Sequence, residues 1–224
     1  KRHTSWVEPN DAYEAAVAGF VGVVTEDPAI VAHVSGWLDL TAGSVRANVL
    51  GQKLIQLTMP GVADVYQGTE LVALSLVDPD NRRPIDYGMR GGWLDRLDAG
   101  ERPRDLDEEK LLVTASALRL RRARPECFVG PEATYVPLTT TTPDAVAFAR
   151  GTTGRPQTVT VASRLTHRRE SGGGWADHTV TLPPGPWRDT LSGREFAADR
   201  REVRLADLLA DLPVALLTLG QGAR

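Results

Sequence analysis

Between Gly61 and Tyr87 the chain reads GVADVYQGTELVALSLVDPDNRRPIDY. Three carboxylates (Asp78, Asp80, Asp86) and two guanidiniums (Arg82, Arg83) crowd together, and a tyrosine stands at either end, Tyr66 and Tyr87. That mixture suits a sugar. Carboxylates and guanidiniums bond hydroxyls, and aromatic faces stack on pyranose rings. Asp78 and Arg82, four apart across a Pro-containing turn, can project to one side and clamp the hydroxyls of one sugar, with Tyr66, Tyr87 and Trp93 as stacking surface. The same charges have a second reading, in which Asp78, Asp80, Arg82 and Arg83 bridge one another and simply fix a long loop. Spacing leaves both open.

Such a segment needs a scaffold. Asp11-x-x-Glu14, with Pro9 and Asn10 just ahead, reads as a capping box and predicts a helix to about Val24. A second helix is predicted over Pro28–Leu40 and a third over Ser44–Thr58, where Val45, Val49, Leu50, Leu54 and Leu57 share one face. Met59-Pro60-Gly61 ends it, and a short strand is expected over Val62–Tyr66. Asp105-x-x-Glu108 opens another helix, with Leu111, Leu112, Ala115 and Leu118 inward, that stops before Pro125. Beyond Pro131 the pattern changes to short alternating runs, ATYVPL, DAVAFA, QTVTVA, HTVTL and PVALLTL, separated by Gly, Pro, Asp and Ser clusters. These predict an antiparallel β-sandwich. The order helix, strand, loop, helix is that of the closing part of a (β/α)8 TIM barrel, whose active site lies at the carboxyl ends of its strands. One strand cannot close a barrel. The expected fold is therefore α/β plus β: the terminal helices and last strand of such a barrel over residues 1–128, with apolar helix faces meant for absent partners, then a sandwich over 129–224. An all-helical domain with one incidental strand is the competing view.

Composition narrows the partners. The 224 residues are 42% hydrophobic and 25% charged, with a net charge of −3, so a sizeable core is available and nothing electrostatic favours nucleic acid or membrane. The basic run Arg119, Arg121, Arg122 and Arg124 suits the last turn of a helix better than a phosphate patch, having no aromatic interleaving. Cys127 is the single cysteine, which precludes an intrachain disulfide, and no His–Cys spacing suits zinc. No apolar run nears the ~20 residues of a membrane span, and no signal peptide is evident. A start at Lys1 without methionine reads as a cut inside a longer protein.

Three segments carry a family resemblance. GVADVYQGTEL resembles the strand-eight pattern of the α-amylase superfamily, Gly-x-Pro-x-x-Tyr-x-Gly-x-Glu, with Ala63 where proline is usual; LSLVDPDNRRPIDY and KRHTSWVEPNDAYE resemble the maltooligosyltrehalose synthase branch. The resemblance covers most of residues 1–125 and continues more weakly through the β-rich tail. It implies an isomerase of trehalose biosynthesis that acts on a maltooligosaccharide. The reducing-end α-1,4-linked glucose is re-linked as α,α-1,1 by intramolecular transglucosylation, through a carboxylate nucleophile and a second carboxyl acting as acid then base. Those family carboxylates sit on barrel strands four, five and seven, which nothing in this chain matches, so no catalytic residue is assigned and the chain alone is expected to be inactive. Related α-glucan enzymes bind sugar with an Asp and an Arg at the positions of Asp78 and Arg82. Tyr66, Gln67 and Glu70 complete the candidate substrate-binding set, the last two as sugar contacts or as loop buttresses. No metal or organic cofactor and no nucleic-acid or membrane partner is implied, and the family's role suggests a cytoplasmic location. The alternatives are another α-amylase-type hydrolase or glucanotransferase, and a non-catalytic carbohydrate module using Trp175 and Trp187; packing is the plainer role for those two.

Overall fold

A computed structural model describes residues 2–197 and 201–220. The chain divides into two units, Lys1–Gly43 and Ser44–Arg224. The first holds α1 (Asp11–Glu26) and the opening half of α2 (Pro28–Thr58). Helix α1 is capped by Asn10, whose side chain accepts from Tyr13 N, rather than by the predicted Asp11 box; Glu14 instead accepts from the Thr4 hydroxyl at 2.5 Å. Helix α2 is continuous where two helices were expected, because Thr41-Ala42-Gly43 contains no proline and no capping residue strong enough to stop it. None of the described residues of the first unit is buried, and Trp6, Phe20, Val23, Trp37 and Leu40 are each more than half exposed. Taken singly, no helix among the described residues is long and apolar enough to cross a membrane; α1 and α2 together reach that length and composition only as a bent pair.

The second unit carries the core. After α2 come α3 (Tyr87–Asp98) and α4 (Leu106–Ala123), then β1 (Ala133–Pro137), β2 (Ala145–Thr152), β3 (Arg155–Ser163), α5 (Thr166–Ser171) and β4 (Thr179–Thr181). β5 (Trp187–Asp189), β6 (Glu195–Phe196), β7 (Glu202–Arg204), α6 (Leu205–Leu208) and β8 (Val214–Leu219) complete it. All five sequence-predicted β-runs are strands; β5, β6 and β7, which were not foreseen, carry only two or three residues each, too few to show alternation. Six strands form one antiparallel sheet in the order β1-β2-β3-β8-β5-β6, and β4 pairs with β7.

Strand alternation gives the large sheet two apolar faces. Ala147, Ala149, Val159, Val161, Ala215 and Leu217 meet Val180 and Val203 of the β4–β7 pair, with Leu205 and Leu208 of α6. On the other face Ala162, Val214 and Leu216 meet Leu50, Leu54 and Leu57 of α2 and Val113, Ala117 and Leu120 of α4. Helices and antiparallel sheet thus share one core. At Gly51 the helix and the sheet are in van der Waals contact: a Cβ there would lie 3.6 Å from Ala162 Cβ and from Ser163 O, ordinary contact distances.

Two further elements differ from expectation. Val62–Tyr66 is not a strand, since a strand exists only against a neighbour and none of the described residues pairs with it. Helix α3 was not foreseen, because Gly88, Gly91 and Gly92 mask it; its signal was the Asp86 cap, which accepts from Met89 N, and the turn at Ala99-Gly100. Asp105 does cap α4, accepting from Glu108 N, while Glu108 accepts from Arg104 N and Arg96.

Asp189, at the end of β5, is 1% exposed and has no cationic partner among the described residues. It accepts from Leu216 N, Leu191 N, Ser192 N and Ser192 Oγ, which fastens the β5–β6 turn to β8. Burial pushes its pKa up, against the opposing pull of those hydrogen bonds. The folded state therefore holds a proton that the unfolded chain releases near pH ~4, so the stabilisation is present below that pH and is lost as pH rises above it. The melting temperature of the native chain relative to Asp189→Asn should accordingly fall as pH is raised from ~4 to ~7; a difference constant across that range would contradict this.

Candidate functional site

Segment 61–87 leaves the end of α2. Pro60 has no N–H to continue the helix, and Gly61 turns the chain with φ of 114°. Gln56 Nε2 donates to Asp64 O at 2.5 Å, while Ala63 and Val65 lean on the helix–sheet core. Thr69 then folds back, its N–H and its hydroxyl both donating to Tyr66 O. Gly68 has φ of 82° and is packed so closely that a Cβ would stand 2.7 Å from Ile85 Cδ1. Val72 N donates to Asp107 and Lys110 Nζ to Leu71 O, so α4 carries the middle of the segment. Burial of Lys110 lowers its pKa.

The five candidate residues divide into three situations. Asp78 and Arg82 form a bidentate pair, Nε to Oδ1 at 2.5 Å and Nη2 to Oδ2 at 2.8 Å, and both side chains are more than half exposed. Beside them Arg83 pairs with Asp80, whose carboxyl is held below the usual range by the Leu76 N–H and then by Arg83. Glu70 faces Arg90 of α3, Nε to Oε1 at 2.6 Å, with both side chains largely buried; the contact is ionic, the atoms lying outside hydrogen-bond alignment. Gln67 and Tyr66 are exposed. The structure therefore realises the bridging of the loop charges, and Glu70 buttresses the segment.

The pairing leaves chemistry available. Arg82 uses Nε and one Nη2 hydrogen on Asp78, so its Nη1 donors and the outer lone pairs of Asp78 stay open to solvent on one edge of the pair. A guanidinium fixed in this way offers donors beside carboxylate acceptors, the complement of two adjacent hydroxyls. Of the expected stacking residues, Tyr66 and Tyr87 are exposed, whereas Trp93 packs beside Leu71, Leu97 and Leu111. A cavity of about 480 Å³ lies elsewhere, lined by Leu97, Glu101, Glu109, Leu191 and Asp211 among others. In the sheet, Trp187 is 2% exposed with its indole N–H on Pro183 O, and Trp175 packs against the core under Arg169 at 4.2 Å. Both tryptophans have packing roles, and neither offers a free face of the kind a sugar-binding module uses. Among the described residues no group of three His, Cys, Asp or Glu could hold a metal ion. Sequence reasoning missed Arg90, because its helix was hidden by glycines.

Helices resting on an antiparallel sheet, with an exposed segment of paired charges at their end, define a mixed helical and antiparallel chain. Over nearly all of its length that chain is similar to the maltooligosyltrehalose synthases. It is 42% identical over 219 residues to proteins of Mycobacterium tuberculosis provisionally named maltooligosyl trehalose synthase, a match over 96% of this chain and 26% of theirs. The solved maltooligosyltrehalose synthase of Arthrobacter ramosus superposes with a TM-score of 0.86 at 38% identity, over 98% of this chain and 28% of that one. A glycosyltrehalose synthase from strain DSM5389, at 24% identity and a TM-score of 0.73, shares the fold. This chain thus spans about a quarter of the length of the relatives it matches, and the matches support correspondence with a C-terminal portion of such an enzyme. No family model matches the chain.

Proposed function

We propose that the chain is the C-terminal part of an enzyme that converts the reducing-end α-1,4-linked glucose of a maltooligosaccharide into an α,α-1,1 unit by intramolecular transglucosylation. The observation that carries this reading is the 42% identity sustained over 96% of the chain. On it, residues 1–128 are the last helices and strand of a (β/α)8 barrel, and 129–224 are a terminal β-sandwich. Two features favour that assignment. Val62–Tyr66 belongs to no helix and pairs with none of the described residues, as a barrel strand would without its neighbours. Large apolar side chains stand in solvent, Val62 at 98%, Leu74 at 93% and Trp6 at 90%, as they do when the surface that covers them is another part of a protein.

Asp78 and Arg82 then meet glucan hydroxyls through their open edge, Gln67 and Tyr66 are further glucan contacts, and Glu70 holds the Gly68 turn through Arg90. The carboxylates that break and form the glycosidic bond lie outside this chain. The reaction needs neither metal nor organic cofactor, since two carboxyls suffice for glycosyl transfer, and we place the enzyme in the cytoplasm.

The test is product analysis of the parent protein on maltopentaose. Reducing ends should disappear without release of glucose, while the 224-residue chain alone leaves the substrate unchanged. Release of reducing sugar would instead identify an α-amylase-type hydrolase, and turnover by the isolated chain would contradict the assignment of the catalytic carboxylates elsewhere.

A further inference from the structure

The last turn of α2 contains no basic residue, Pro60 offers no N–H, and yet the carbonyls at its end are not left to water. Arg121 of α4 donates from Nη1 to Leu57 O at 2.9 Å. Arg150 of β2, only 3% exposed, donates from Nη1 to Thr58 O at 3.1 Å, from Nε to Thr134 O at 2.7 Å and from Nη2 to Phe128 O at 3.4 Å. Both guanidiniums lie over the Phe128 ring, at 5.0 and 5.5 Å from its centroid. Thr160 of β3 adds a hydroxyl bond to Thr58 Oγ1 at 2.9 Å, and the Thr58 hydroxyl in turn donates to Leu54 O.

Arg150 makes no ion pair among the described residues, and burial together with Arg121 disfavours its charge. A buried cation without a carboxylate is expensive to keep. What it meets is the negative end of a 31-residue helix, where a cation is favoured. Its aim is set by the β-bulge at Arg150/Gly151. Two residues beyond Thr58 the chain turns into segment 61–87.

We propose that Arg150 is a positioning residue: through Thr58 O the six-stranded sheet fixes the carboxyl end of α2, and with it the glucan-facing segment that follows. This extends, and for its kinetic readout rests on, the function proposed above.

Arg150→Met keeps the stem and removes the donors, and two measurements separate the cases. In the isolated chain, amide hydrogen exchange should quicken at least tenfold over residues 55–72 while β5 and β8 stay protected, a readout independent of any activity. In the parent protein, KM for maltopentaose should rise several-fold well below the unfolding temperature, with kcat changed less. Exchange that is unaltered, or quickened evenly throughout, would overturn the proposal, as would a KM that holds while only the melting temperature falls. If the native parent does not act on maltooligosaccharides, the functional reading fails and the exchange result still decides the role of Arg150. Should Arg150→Met fail to fold, Arg121→Met, which removes the neighbouring cap on Leu57 O, should give the same local pattern, and its absence would overturn the proposal.

Discussion

Gly151→Ala will cost the chain about 3 kcal/mol of stability, the size expected when an added group meets backbone rather than a movable side chain. A Cβ at this position would fall on the Arg155 carbonyl and 2.9 Å from Pro156 Cα, both in β3 directly across the ladder. The obstacle is a neighbouring main chain, and the ladder register shifts at this residue to make room. Opening the pair by even a few tenths of an ångström would disturb Ala149↔Val159, which lies at the centre of the sheet with both residues fully buried. It would also turn Arg150 away from the carbonyls of Thr58, Phe128 and Thr134. Urea unfolding followed by circular dichroism should show the midpoint lowered with the slope unchanged. A loss below about 0.5 kcal/mol, the range of neutral surface changes, would show that the bulge tolerates a side chain and that the packing argument is wrong.

Much of this fold could be read from the residues, for local reasons. Leu50, Leu54 and Leu57 recur on one face of α2, and Val159, Val161 and Thr160 alternate along β3, so periodicity identified both elements, whereas Val45 of α2 and Leu118 of α4, expected inward, are exposed. Non-local features were not legible. Nothing near Val62 announces that no described residue pairs with it, because a strand is defined by another segment. Likewise Arg150 reads as one polar residue in a strand, and only the three-dimensional meeting of β2 with the end of α2 reveals its carbonyl partners. At the candidate site the sequence named Asp78 and Arg82 and offered two roles; the structure realises the mutual pairing, which leaves one edge of the pair open. Asp86, grouped with the candidate sugar-binding charges by proximity alone, is a helix cap.

Arg82→Ala in the parent protein separates those roles by size. If the Asp78–Arg82 pair only stiffens the loop, its removal deletes an exposed ion pair worth roughly 0–1 kcal/mol of stability and leaves the kinetics alone. If its open edge binds glucan, the variant loses charge-assisted hydrogen bonds from the Nη1 donors, each worth roughly 1.5 kcal/mol or more at a hydroxyl shielded by bound sugar. A contact remote from the reacting bond holds substrate and transition state alike, so the loss falls on binding rather than turnover. The measurement is steady-state kinetics of Arg82→Ala on maltopentaose beside the native parent. KM should rise about tenfold with kcat within a factor of about two; a KM equal to that of the native enzyme would contradict the claim that this segment meets the glucan.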